Sequence, residues 1–209
     1  MNLLKQAIVL IGFFWIQFNA LAGAYDDFFK AVRHDDLSTV QALVQRGFDP
    51  NTVGPEGLPA IVMAVREPSL QVAEFLAAWP DTRVNQRNEH DETILMLASL
   101  RGHRELVNRL IARRAEVNKD GWTALHYAST GGHLPVMSLL IGAGAMVNAR
   151  SPNGTTPLMM AAHYGNSAAV KLLLESGADA QLKNQLGLSA LDFARSADRQ
   201  DSVKLLSPP

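Results

Sequence analysis

Residues 154–179 read GTTPLMMAAHYGNSAAVKLLLESGAD, which spells out two short helices and the turns around them. Thr156 is a good N-cap, and Pro157 suits the first helical position, where its missing N–H costs nothing. Leu158, Ala161 and Ala162 then give a short helix one apolar face, with alanines small enough for neighbouring helices to approach closely. Gly165 is expected to end that helix in left-handed backbone. Asn166 or Ser167 opens a second helix, in which Val170, Leu173 and Leu174 keep the i, i+3, i+4 spacing of a buried stripe. Gly177 ends it, and the polar residues beyond lead through Asn and Gly into a tight turn.

The same pattern recurs along the chain. One alanine column runs through Ala31, Ala64, Ala98, Ala128, Ala161 and Ala194, with steps of 33, 34, 30, 33 and 33 residues. Three residues before each stands a large apolar residue: Phe28, Ile61, Leu95, Leu125, Leu158, Leu191. A third column follows downstream at Val40, Val72, Val107, Val136, Val170 and Val203. Three columns keeping step are the signature of an array of supersecondary units, each too small to bury its own apolar face alone.

Within the array, Gly121-Trp122-Thr123-Ala124-Leu125-His126 and Gly154-Thr155-Thr156-Pro157-Leu158 resemble the ankyrin repeat, as do the unit ends Gly144-Ala145-Met146-Val147-Asn148 and Gly177-Ala178-Asp179. The resemblance covers roughly residues 25–206. It implies an all-α solenoid of helix-turn-helix units stacked side by side, with β-hairpin loops along one edge. Six units are expected, at 25–54, 55–87, 88–118, 119–150, 151–183 and 184–206, in a domain spanning 25–209. The 30-residue step clips the loop at Val117-Asn118-Lys119-Asp120-Gly121 by about three residues, and the 34-residue step holds an insertion near Trp79-Pro80. The first and last units lack the full signature, as capping units do.

The start of the chain reads as an export signal covering residues 1–24. Lys5 supplies a positive start, residues 7–18 (AIVLIGFFWIQF) are apolar and charge-free, and small-x-small sites end at Ala22 and Ala24. Cleavage after either residue fits. The apolar run is short for a membrane span, which needs about 20 residues, so no membrane insertion is expected after cleavage. A periplasmic or secreted protein from a bacterial host follows from the short signal and the absence of cysteine. The Asn153-Gly154-Thr155 sequon bears on the host, because a sugar there would sit on the binding face of a eukaryotic protein.

Composition narrows the function. Of 209 residues, 47% are hydrophobic, enough for a sizeable core. The formal charge of −1 lacks the basic excess of nucleic-acid binders. With no cysteine there is no disulfide, thiolate metal site or cysteine nucleophile. His103, His126 and His133 sit where the repeat pattern holds structural histidines. His34, His90 and His163 fall in different units, too far apart to share a metal ion. Adjacent acids at Asp26-Asp27 and Asp35-Asp36 read as solvated surface. No nucleophile elbow or phosphate-cradling glycine loop is present. The expectation is therefore no enzyme, no cofactor and no metal, but a monomer that binds another protein. An accessory role with a small ligand or a metal is the alternative.

The resemblance implies a partner surface on the concave face, formed by loop tips and by the residues after each alanine. In this frame the tips are Leu58, Glu92, Trp122, Thr155 and Leu188, with His90 and Asn153 beside them. The positions after the alanines hold Arg33 and His34, Arg66 and Glu67, Leu100 and Arg101, Thr130, and His163 with Tyr164. Trp122, Leu100 and Tyr164 come from consecutive units and form the expected hot spot. For Trp122, packing beneath the clipped loop is the structural alternative. Arg33, Arg66 and Arg101 form a row suited to an acidic segment, or to pairing with Glu67 and Glu92.

Overall fold

A computed structural model describes residues 23–66 and 70–207, so the expected signal at 1–24 lies almost wholly outside the described residues. The described chain is all-helical, as the repeat pattern predicts. It divides into two compact units, Met1–Thr82 and Arg83–Pro209. The division falls just after Trp79-Pro80, where the repeat step lengthens. Among the described residues no helix is long and apolar enough to cross a membrane.

The first unit holds α1 (23–33), α2 (Leu37–Gln45), α3 (Ala60–Arg66) and α4 (Gln71–Ala78). Helices α2 and α4 pack together, and α3 packs on α4. The second unit holds α5 (Ile94–Arg101), α6 (Arg104–Ala112), α7 (Ala124–Gly131), α8 (Leu134–Gly142), α9 (Pro157–His163), α10 (Ser167–Glu175), α11 (Ala190–Ser196) and α12 (Gln200–Leu206). Here α5, α7, α9 and α11 pack in chain order as an inner layer, and α6, α8, α10 and α12 pack in order as an outer one. Each inner helix also packs on the outer helix that follows it.

The alanine column explains the inner layer. All six alanines are buried, where any larger side chain would push helices apart. The apolar column is buried from Phe28 to Leu158, and the valine column from Val40 to Val170. Leu191 and Val203 are only half-buried, because α11 and α12 have a described neighbour on one side alone.

Inner helices begin alike in the second unit. Thr93, Thr123, Thr156 and Ser189 are N-caps, and the residue three positions on reaches back to the cap N–H: Met96 Sδ at 3.4 Å, His126 Nδ1 at 3.1 Å, Met159 Sδ at 3.4 Å and Asp192 Oδ2 at 2.8 Å. Of the adjacent acids near residue 35, Asp36 is exposed as expected, and both are also caps. Asp35 Oδ1 accepts from Val72 N at 2.8 Å at the start of α4, and Asp36 accepts from Thr39 N at 3.1 Å at the start of α2. Hydrogen bonds from the Thr39 and Ser38 side chains hold the Asp36 carboxyl down at about 2.

Gly165 departs from expectation. Asp35, Gly102, Gly132 and Asp198 do take left-handed backbone, with φ of 52°, 73°, 65° and 53°. Each lets the next N–H bond back to the column alanine, as His103 N does to Ala98 O at 3.0 Å. Gly165 does not adopt that conformation. Asn166 is extended there and caps α10, its Oδ1 accepting from Ala169 N at 2.8 Å while Nδ2 donates to Gly132 O at 3.1 Å. What Gly165 supplies is space, since a Cβ would lie 2.5 Å from Ser129 O.

A second periodic element stitches the loops of the second unit. Asn85, Asn118 and Asn148 each accept through Oδ1 from a backbone N–H in the following turn: Glu116 N at 2.8 Å, Met146 N at 2.8 Å and Asp179 N at 2.9 Å. Their Nδ2 groups donate to Arg114 O, Gly144 O and Gly177 O in those same turns. The expected β-hairpins reduce to single bridges, Val53 with Pro59, Arg87 with Thr93 and Lys183 with Ser189.

Candidate functional site

The loops that lead into the inner helices share one closing hydrogen bond. Gly54 N, Asn88 N, Ser151 N and Asn184 N donate to Leu58 O, Glu92 O, Thr155 O and Leu188 O at 2.8–3.0 Å. Each bond closes a tight turn whose middle residues are exposed, such as Glu89-His90 and Gln185-Leu186. The residue carrying the accepting carbonyl is therefore the inward shoulder of the turn and not its tip.

Leu58, Glu92, Thr155 and Leu188 are thus shoulder residues and not the expected loop tips, and two of them are buried. Thr155 is only 2% exposed, and its carbonyl accepts both Ser151 N at 2.9 Å and His126 Nε2 at 3.0 Å, so it is a structural residue and not a binding one. Leu58 is likewise buried. The threonine of the Asn153 sequon is that buried Thr155. Asn153 itself is exposed, with Oδ1 accepting from Ser151 Oγ and Thr155 N. Leu188 does stand exposed, at 40%, and its neighbour Leu186 is 80% exposed.

The clipped loop at 119–123 lacks the residues that would supply a backbone donor. Lys119 takes over: its Nζ donates to Asp120 O at 2.9 Å and to Trp122 O at 3.4 Å, the carbonyl in the shoulder position. The ammonium also pairs with Asp91 Oδ2 at 2.6 Å, and its side chain is only 4% exposed. Burying a cation this far requires such a full set of partners. Asp91 in turn meets Arg87 Nη1 at 2.9 Å, and Arg87 Nη2 reaches Glu116 at 3.2 Å. The hydrogen bonds from Lys119 and then Arg87 hold the Asp91 carboxyl below its usual range.

With its carbonyl held, Trp122 lies half-buried, edge-on to the His126 ring with centroids 5.2 Å apart. His126 is fully buried. Its Nδ1 accepts from Thr123 N, so the proton sits on Nε2, which donates to Thr155 O. Burial pushes its pKa down to about 4, against the opposing pull of hydrogen bonds to the Thr155 and Ala149 backbone.

Trp122 lines a pocket of about 250 Å³ with Leu100, Tyr127, Thr130 and Met160. The expected meeting of Trp122 with Leu100 is thus present, whereas Tyr164 does not line this pocket. Tyr164 is 55% exposed at the end of α9, its ring 4.2 Å from that of His163. His163 is half-buried and tied to the helices that follow, with Nδ1 3.3 Å from Ser196 Oγ and its carbonyl accepting from Arg199 Nε. Tyr127 and Met160 are not among the positions after each alanine that the repeat pattern singles out. The residue just before the alanine forms its own column, and that column supplies both.

Behind the pocket, Tyr127 Oη donates to Glu92 Oε1 at 2.7 Å, and Asn88 Nδ2 donates to Glu92 Oε2 at 2.8 Å. Burial, followed by the Glu92 carboxylate, pushes the Tyr127 phenol above its usual range. Glu92 is thus half-buried and engaged at both oxygens. His90 is exposed beside it, 3.5 Å from Glu89. Arg101 is exposed at the end of α5 in the second unit. In the first unit Arg33 and Arg66 are exposed, and His34 Nδ1 lies 2.8 Å from Lys30 O. A depression of about 450 Å³ there is lined by Asp27, Lys30, Ala31, His34, Asp36 and Thr39. Among the described residues no group of three or more His, Asp or Glu is placed to hold a metal ion.

A family model described as "Ankyrin repeats (3 copies)" matches residues 28–119, 61–151 and 136–208. Similar proteins include an ankyrin repeat-containing protein of Treponema pallidum (strain Nichols), 35% identical over 127 residues, which is 59% of this chain and 40% of that protein. Protein phosphatase 1 regulatory subunit 12A of Mus musculus is 42% identical over 76 residues, or 36% of this chain and 7% of that protein. Ankyrin repeat and SAM domain-containing protein 6 of Mus musculus is 38% identical over 143 residues, or 65% of this chain and 16% of that protein. The chain thus spans well under half the length of these relatives.

Proposed function

The chain belongs to the ankyrin-repeat family, and we propose that it is an exported, six-repeat, non-catalytic module, a monomer that binds a partner protein through its inner helices and loops. The observation that carries this reading is the pocket beside Trp122. A half-buried aromatic, a leucine and a methionine border it, with Tyr164 exposed on the neighbouring helix. A rigid aromatic with a polar N–H offers large contact area at low entropic cost. The family, and the similarity to a protein named as a phosphatase regulatory subunit, support a role in holding or regulating another protein rather than catalysis. Export rests on residues 1–24, and periplasmic or secreted location follows from it.

Two measurements test the reading. Affinity capture from an extract of the native host, followed by titration of the captured partner, should show Trp122→Ala weakening binding by about thirtyfold, as truncating a hot spot of about 2 kcal/mol does. Unchanged affinity with a lowered melting temperature would make Trp122 a packing residue and remove the pocket from the binding face. Mass spectrometry of the protein from its host should find a chain starting at Gly23 or Tyr25. A chain retaining Met1 would refute export.

A further inference from the structure

We propose that the pocket lined by Leu100, Trp122, Tyr127, Thr130 and Met160 receives one apolar side chain of a partner polypeptide that carries a lysine or arginine beside it. This rests on the binding reading above and adds the chemistry of the guest.

The size of the pocket argues for a side chain. Sites for drug-sized small molecules run from about 300 to 1,000 Å³, and this pocket holds about 250 Å³. Its lining argues for an apolar guest. Leu100 and Met160 are hydrocarbon and thioether, and Trp122 adds an indole. The two hydroxyls have spent their protons: Tyr127 Oη donates to Glu92 at 2.7 Å, and Thr130 Oγ1 donates to His126 O at 2.9 Å. A polar guest would lose its water and gain little in return. Met160 adapts to an irregular guest, which suits a leucine, isoleucine or methionine.

Charge complementarity supplies the second half. The segment 116–122 ends at the lining Trp122, and the segment 87–92 meets the pocket wall through the Glu92–Tyr127 hydrogen bond; together they carry the acids Glu89, Asp91, Glu92, Glu116 and Asp120 against the bases Arg87 and Lys119. Lys119 is buried, and Arg87 is held between Asp91 and Glu116. Glu89, 78% exposed at its side chain, and the exposed Asp120 therefore face solvent with Glu92 just behind the pocket wall. Arg101 follows the lining Leu100 at the C-terminal end of α5, so the negative side of the pocket is the loop side, toward the α5 N-terminus. A cation next to the apolar guest residue, on its loop side, meets this negative potential.

The test uses the full chain, labelled with ¹⁵N, and three short capped peptides in which Lys-Leu-Lys, Lys-Ser-Lys or Glu-Leu-Glu sits between glycines. The Trp122 indole N–H signal, assigned by its loss in Trp122→Phe, is followed to millimolar peptide. Lys-Leu-Lys should move it saturably. Lys-Ser-Lys should bind more than about tenfold more weakly, from the lost leucine burial, and Glu-Leu-Glu about fivefold more weakly, from two lost surface ion pairs. Thr130→Arg and Met160→Arg, at two half-buried lining positions, should abolish the response in proteins whose circular dichroism melts remain cooperative. Equal responses to the leucine and serine peptides would overturn the apolar guest, and equal responses to the lysine and glutamate peptides would overturn the cation. If no peptide moves the signal while Trp122→Ala still weakens the captured partner, this proposal fails and the binding reading stands. If Trp122→Ala leaves the partner's affinity unchanged, the binding reading itself fails.

Discussion

Acidification from pH 7 to pH 5 should cost this fold about 2 kcal/mol through His126 alone. The ring is fully buried, its Nδ1 fixed as an acceptor of Thr123 N–H and its Nε2–H fixed on Thr155 O. Its pKa is lowered from 6.5 to about 4 by burial. A folded-state pKa below the unfolded one means that the unfolded chain takes up the proton first. The stabilisation is therefore complete above about pH 6.5 and is lost as pH falls towards about 4. At pH 5 the unfolded imidazole is almost fully protonated and the folded one is mostly neutral. Linkage over that interval gives about 2 kcal/mol, rising to about 3 kcal/mol near pH 4. The assay is a pair of urea melts at pH 7 and pH 5 on the wild type and on His126→Gln. Burial lowers the His103 pKa as well and adds a slope of the same sign, but that slope is common to both proteins. The carboxylates of Asp36, Asp91 and Asp192 are held low, so their protonation stays outside the interval. The difference between the two proteins in stability lost from pH 7 to pH 5 should be about 2 kcal/mol. The same loss in both would mean that His126 titrates alike folded and unfolded.

Glycine sites should separate by what surrounds them. Gly165→Ala should destabilise by about 1–3 kcal/mol, because its Cβ would lie 2.5 Å from Ser129 O. Gly142→Ala, with nothing within 4 Å at the end of α8, should instead stabilise by about 0.5–1 kcal/mol in the same denaturant melts. Arg114 holds left-handed backbone at φ 59°, where the neighbouring turns place Gly144 and Gly177, so Arg114→Gly should raise stability by about 0.5 kcal/mol; a lower denaturation midpoint would show that the arginine is unstrained. Ala161→Asp buries a carboxylate at a position only 1% exposed and should cost several kcal/mol, on the order of the whole margin of a small domain. Tyr164→Asp, three residues on and 55% exposed, should cost about 0.5–1 kcal/mol, and equal losses would break the repeat frame.

Taken alone, the sequence determines the helical frame, because the frame is periodic and local. The alanine, leucine and valine columns repeat at about 33 residues, and each names a residue that must be buried for its helix to have a neighbour. Capping is legible for the same reason: Thr156 before Pro157 and His126 three residues after Thr123 are contacts within one turn of helix. What the sequence left undecided lies across repeats. The conformation of Gly165 depends on Ser129, 36 residues away, and on an asparagine side chain that reaches Gly132 O. Thr155 looks like a loop tip until the His126 ring of the preceding helix takes its carbonyl and draws it inward. Nothing in the sequence marks Lys119 of the shortened loop for burial, yet the missing backbone donor and the Asp91 carboxylate together hold it buried. Tyr127 and Met160 become visible as binding residues only when α5, α7 and α9 set them beside Leu100 and Trp122. Period and composition carry the information for the first kind of contact. The second kind depends on which side chains meet once the repeats are stacked, and packing decides that.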